Sequence, residues 1–115
     1  MTSFDAGDII VVDYPHVETN MLKRRPALVV SAGSLGPNGL VLWAAMITSA
    51  ANRGWPGDFA IADHLALGLP IPSVVRTEKI ATVECHGAGK LARLTSDQLD
   101  EVRVRMARYL GLPAP

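Results

Sequence analysis

Arg76 and Glu78 stand where a strand ordinarily carries apolar or neutral side chains, within Ser73-Val74-Val75-Arg76-Thr77-Glu78-Lys79-Ile80. Strand side chains alternate between faces. The pattern therefore predicts Arg76 and Glu78 on one face, their Cα atoms about 6.6 Å apart, with Thr77 and Lys79 on the other. A fixed cation beside a carboxylate is the pairing expected of a reaction centre for a phosphate ester. Glu78 has the chemistry of a general base, kept ionised by a neighbouring arginine. Arg76 offers planar, permanently charged donors that match phosphate oxygens.

Such a pair needs a rigid frame, and the chain reads as a series of short strands. The β-branched run Ile9-Ile10-Val11-Val12 follows a Gly7-Asp8 turn and is ended by Asp13-Tyr14-Pro15. Residues 16–23 are polar and aperiodic, which predicts a loop. Ala27-Leu28-Val29-Val30-Ser31 reads as a second strand. Residues 40–47, after the Asn38-Gly39 turn, form the longest apolar run and predict a central third strand that buries Trp43. Residues 58–61 predict a short fourth strand, residues 63–72 an irregular apolar connector, and residues 90–94 a last strand after the one carrying Arg76, which can extend to Glu84. One helix is predicted, with Thr95 as N-cap, Gln98 at capping-box spacing and Gly111 as its stop. Leu99, Val102, Met106, Tyr109 and Leu110 form its apolar stripe. Strands followed by one amphipathic helix predict a mainly β (α+β) fold, a small bent β-barrel plugged by the helix.

The chain has 115 residues, 49% of them hydrophobic and 19% charged, which predicts a single domain over 1–115 with a real core. No apolar run reaches the roughly 18 residues of a membrane span, and the N-terminus lacks a signal-peptide layout, so a soluble cytoplasmic protein with no membrane partner is expected. The lone Cys85 rules out an internal disulfide. A formal net charge of zero argues against coating nucleic acid by bulk electrostatics but leaves room for a local basic cleft, to which Lys23-Arg24-Arg25 would contribute.

Gly7-Asp8-Ile9-Ile10-Val11-Val12-Asp13-Tyr14-Pro15 followed by Lys23-Arg24-Arg25-Pro26-Ala27-Leu28-Val29-Val30-Ser31 closely resembles the N-terminal half of the MazF/PemK toxins of type II toxin–antitoxin systems. The resemblance continues through Ile47-Thr48-Ser49 and Gly68-Leu69-Pro70-Ile71-Pro72-Ser73-Val74-Val75-Arg76, so it spans nearly the whole chain. It implies an SH3-like barrel that forms a homodimer. It also implies a metal-independent, cofactor-free endoribonuclease that cleaves single-stranded RNA, messenger RNA being the leading class, inhibits translation and growth, and is silenced by a cognate antitoxin.

Such cleavage activates the 2′-hydroxyl as nucleophile, stabilises a phosphorane and protonates the departing 5′-oxygen. Glu78 is the expected base and Arg76 the expected phosphate clamp. By the resemblance, Arg25 matches the arginine preceding proline and would be a second clamp. Thr48 and Ser49 match the threonine-serine pair after the third strand, and His16 lies where some members carry a histidine that assists the leaving group. Lys23, Arg24, Arg53 and Lys79 are RNA-binding candidates, and Trp55 can stack on a base. One departure from the resemblance is visible: the position is commonly aspartate or another residue in the family and is glutamate here, and relative to aspartate the carboxylate shifts by about 1.5 Å, which can slow catalysis.

Plainer readings compete. Arg76 and Glu78 could form a surface ion pair contributing less than about 1 kcal/mol, Thr48-Ser49 a simple turn, His16 a loop residue without a task, and Arg24 a solvated charge. Cys85 and His86 are adjacent, so their side chains diverge and form no dyad or zinc site. His64 has no evident partner in the sequence. Two other functional classes stay open: a CcdB-like protein-binding toxin acting on a topoisomerase, and a non-catalytic SH3-like interaction module.

Overall fold

The computed structural model describes residues 3–15 and 21–113. Among these residues six strands, β1 (Asp8–Pro15), β2 (Leu22–Val29), β3 (Val41–Ser49), β4 (Asp58–Ala60), β5 (Ser73–Glu84) and β6 (Gly89–Arg93), precede one α-helix, α1 (Ser96–Leu110). They form one antiparallel sheet in the order β4-β5-β3-β2-β1-β6. The expected mainly β fold with a C-terminal helix is present. The expected barrel is corrected in one respect: β4 and β6 remain edges, so the sheet curls without closing. The curl is nevertheless tight, because the Tyr14 hydroxyl of β1 donates to the Lys79 carbonyl of β5 at 2.8 Å although β2 and β3 lie between those strands in the sheet.

Most of both faces of the sheet is covered, which explains why its strands read as continuous apolar runs rather than as alternating ones. Inside the curl lie Ile10, Val12, Tyr14, Ala27, Val29, Leu42, Ala44 and Met46. Outside it, Ile9, Leu28, Ala45, Ile47 and Val75 pack with Val102 of α1. Cross-strand partners share a face, so the pairs Ile10↔Ala27 and Ala27↔Met46 extend the inner layer, and Ile9↔Leu28 and Leu28↔Ala45 the outer one.

The helix begins and ends where its sequence signals place it. The Thr95 hydroxyl accepts from the Gln98 amide, the Gln98 side chain accepts from the Thr95 amide, and Gly111 closes the helix at φ 71°. Its apolar stripe is shorter than expected: Leu99 and Val102 are buried, whereas Tyr109 and Leu110 are exposed. Trp43 is another correction. It belongs to the outer face, beyond the area α1 covers, and is 51% exposed instead of buried. Among the described residues no helix is long and apolar enough to cross a membrane.

The strand boundaries matter most at β2 and β5. Residues 22 and 23, expected in a loop, belong to β2, which therefore holds Lys23 and Arg25 on a rigid element. In β5 the pairing with β3 jumps from Met46↔Arg76 to Ala45↔Ile80, leaving residues 77–79 as a bulge without partners on β3.

Candidate functional site

That bulge decides which side chains meet. Arg76 is partnered with the inward Met46 and Ile80 with the outward Ala45, so the regular alternation is broken between them. As a result Arg76 and Lys79, three residues apart, line the same cavity, and Glu78 is absent from its wall. The expectation that Arg76 and Glu78 share a face with Lys79 opposite is corrected here: strict alternation holds only in a strand without extra residues.

The cavity, of about 380 Å³, opens at the inner face where β1, β2, β3 and β5 converge. The register explains its composition. Tyr14 of β1 faces Lys23 of β2, Val12 faces Arg25, and Met46 of β3 faces Arg76, so these side chains share the inner face, joined by Thr48 two residues after Met46. The connection from β3 to β4 closes the other side with Asn52, Arg53 and Trp55. Five cations, Lys23, Arg25, Arg53, Arg76 and Lys79, thus surround one opening in a chain of zero formal net charge. Among the described residues the wall contains no carboxylate.

Their states differ. Arg76 is buried, at 6% exposure. Its Nε and Nη2 donate to the two Asp58 carboxylate oxygens at 3.0 Å each, Nη2 also donates to the Arg53 carbonyl at 2.8 Å, and the guanidinium lies 4.7 Å from the Trp55 ring centroid. Among the described residues these contacts leave Nη1 without a partner. Burial alone would raise the Asp58 pKa, but hydrogen bonds from Arg76 and the Trp55 amide, with the Arg76 charge, hold it below the usual carboxylate range. Arg25 is differently engaged. Among the described residues its guanidinium donates to Met46 Sδ at 2.9 Å, a weak acceptor, so most of its donor capacity faces the cavity.

Thr48 Oγ1 accepts from Asn52 Nδ2 at 2.7 Å. An acceptor bond of this kind leaves the hydroxyl proton for a ligand oxygen. Asn52 was not singled out in the sequence, and only its spacing of four from Thr48 hinted at the contact. Tyr14 was also missed. It is buried, donates to the Lys79 and Ala44 carbonyls, and its burial raises the phenol pKa further than the Arg25 charge lowers it, so it stays protonated.

The remaining candidates lie elsewhere. Glu78 is exposed on the far side of the bulge, where its Oε1 accepts from the Gly57 amide at 2.7 Å. Arg24 alternates to the opposite face of β2 and donates to the Gly87 carbonyl. Ser49 lines a neighbouring cavity with Leu69, Pro70 and Ile71, and its hydroxyl accepts from the Ala51 amide. His16 falls outside the described residues.

Chain-wide comparisons agree with this architecture. The family model described as a PemK-like, MazF-like toxin of type II toxin–antitoxin systems matches residues 5–110. The MazE–MazF complex (Form-II) of Deinococcus radiodurans is 27% identical with a TM-score of 0.76, covering 98% of this chain and 100% of that one. MazF (Form-I) of the same organism is 26% identical with a TM-score of 0.75, covering 97% and 100%. An endoribonuclease solved with its cognate antitoxin from a mycobacterial species shares the fold at 21% identity and a TM-score of 0.70, covering 97% and 99%. A comparison with curated proteins finds no match. With the match extending over residues 5–110, and with the sheet, the helix and the cationic cavity as described, the chain belongs to the PemK-like, MazF-like toxins of type II toxin–antitoxin systems.

Proposed function

We propose that the toxin is an endoribonuclease acting on single-stranded RNA at the cavity between Arg25 and Thr48. The observation that supports this most is the charge: five cations and an oriented hydroxyl around one opening, with no carboxylate on the described wall. A phosphodiester fits that surface, and a single strand can enter it with its bases splayed.

In the proposed reaction the 2′-oxygen attacks the adjacent phosphorus, the bond to the 5′-oxygen breaks, and the products are a 2′,3′-cyclic phosphate and a 5′-hydroxyl. The 2′-hydroxyl gives its proton to a base of the surrounding solvent and the leaving oxygen takes one up, so protons and atoms balance without a water molecule consumed or an oxidant. Arg25 donates to the non-bridging oxygens as charge builds on them, and Thr48 supplies a further donor. Lys23, Arg53 and Lys79 hold flanking phosphates, and the partly exposed Trp55 offers a face for a base. Arg76 acts from behind: committed to Asp58, it fixes Trp55 and adds Nη1 to the wall. His16 is kept as the candidate that returns the proton to the 5′-oxygen.

The antitoxin belongs to the same reading. The Deinococcus MazF was solved with MazE, and here an acidic, partly apolar segment would complement the cavity's cations and the exposed Trp55. A homodimer would cover apolar side chains such as the exposed Trp43 and Ile80 of the outer face.

Incubating the purified protein with a long RNA in excess chelator tests the proposal. Cleavage giving cyclic phosphate and 5′-hydroxyl ends is expected. Intact RNA at high protein concentration, especially alongside inhibition of a topoisomerase, would overturn it.

A further inference from the structure

Three consecutive residues of β5 all bond to the connection between β3 and β4. Arg76 binds the Arg53 carbonyl and the Asp58 carboxylate, Thr77 Oγ1 donates to the Gly57 carbonyl at 2.7 Å, and Glu78 Oε1 accepts from the Gly57 amide at 2.7 Å. In a regular strand, Thr77 would point away from its two neighbours. The bulge over residues 77–79 permits the convergence. Gly57 fits the grip closely: a Cβ there would lie 2.5 Å from Thr77 Oγ1, 2.8 Å from Glu78 Oε1 and 2.9 Å from Tyr109 Cε2. Gly57 is buried, and the Trp55 amide is tied to Asp58 at 3.0 Å, so the connection is pinned at both its amide and carbonyl groups.

The pinned segment delivers Asn52, Arg53 and Trp55 to the cavity. We propose that Glu78 is a positioning residue: its carboxylate holds the Gly57 amide and so fixes Trp55 and Arg53 in the geometry that receives the RNA. The proposal rests on the ribonuclease reading for its kinetic consequence. Glu78 then takes no proton from the 2′-hydroxyl, and its extra methylene relative to aspartate serves to reach Gly57.

The two roles separate by substitution. Glu78→Gln retains an oxygen acceptor at the same reach but cannot serve as a base, whereas Glu78→Ala lacks the acceptor. Both are compared with wild type for kcat and KM on a defined RNA, for the pH profile of kcat, and for acrylamide quenching of Trp55 in a Trp43→Phe background. Glu78→Gln is expected to stay within about threefold of wild type in kcat with an unchanged pH profile, and Glu78→Ala to raise KM about tenfold with a smaller change in kcat and with greater quenching. Loss of about 10²-fold or more in kcat for Glu78→Gln, with quenching unchanged, identifies a base and overturns the proposal. Wild-type quenching in Glu78→Ala overturns it as well. If wild type leaves RNA intact, the ribonuclease reading fails, and the quenching comparison still decides whether Glu78 holds the segment. If Glu78→Ala does not fold, the kcat and pH profile of Glu78→Gln decide.

Discussion

At the scale of single residues, the structure separates groups that brace the cavity wall from groups that face its opening. Arg76 and Asp58 form a pair whose side chains are 7% and 13% exposed, unlike the surface ion pair with Glu78 that the sequence allowed. Removing Arg76 leaves the partly buried Asp58 carboxylate without its cation, so Arg76→Ala is expected to lower stability by about 1–3 kcal/mol in urea unfolding. The pH dependence follows from the sign of the shift. Asp58 has its folded pKa depressed, so its contribution is fully present above its unfolded pKa of about 4 and fades as pH falls through the folded value. Unfolding midpoints measured from pH 7 downward should show wild type and Asp58→Asn converging in acid. The place of Arg76 in the cavity wall was legible because an arginine stands where a strand ordinarily carries apolar or neutral side chains. Its partner was not, since Asp58 lies 18 residues away and only the β4–β5 register brings it near.

At the scale of elements, local signals were read well where the physics is local. The Thr95 capping box and the Gly111 stop bound α1 because each satisfies backbone groups within a few residues. Thr95→Ala is expected to cost about 1 kcal/mol, read as a lower thermal midpoint with activity retained. The bulge in β5 was not legible, and with it went the face assignment of Glu78 and Lys79. Nothing in Arg76-Thr77-Glu78-Lys79 marks a bulge: it arises from pairing with β3 on one side and β4 on the other. Trp43 fails for a related reason. An apolar run predicts a strand but says nothing about how far the covering helix reaches.

At the scale of the whole molecule, a formal charge of zero conceals a strongly polarised surface. Five of the eleven Lys and Arg residues border one cavity, while Lys90 and Arg93 at the β1–β6 edge share the single carboxylate of Asp8. RNA affinity should therefore depend on salt far more than net charge suggests. Each phosphate contact on a single strand contributes about −0.7 to the slope of log K against log salt, so four contacts from Lys23, Arg25, Arg53 and Lys79 predict a slope near −3. Titrating a labelled single strand at several salt concentrations checks this, and a slope near zero would contradict cavity binding.

If Arg25 and Thr48 carry the cleavage of RNA, single-turnover kinetics of Arg25→Ala and Thr48→Ala will show it. Both side chains border the opening rather than the core, so the variants should unfold near the wild-type midpoint. With a saturating excess of enzyme over RNA, each is predicted to slow cleavage by about 10²–10³-fold, as loss of a donor to a developing oxyanion does. Cleavage by folded Arg25→Ala and Thr48→Ala at wild-type rates would mean that neither side chain takes part in the reaction.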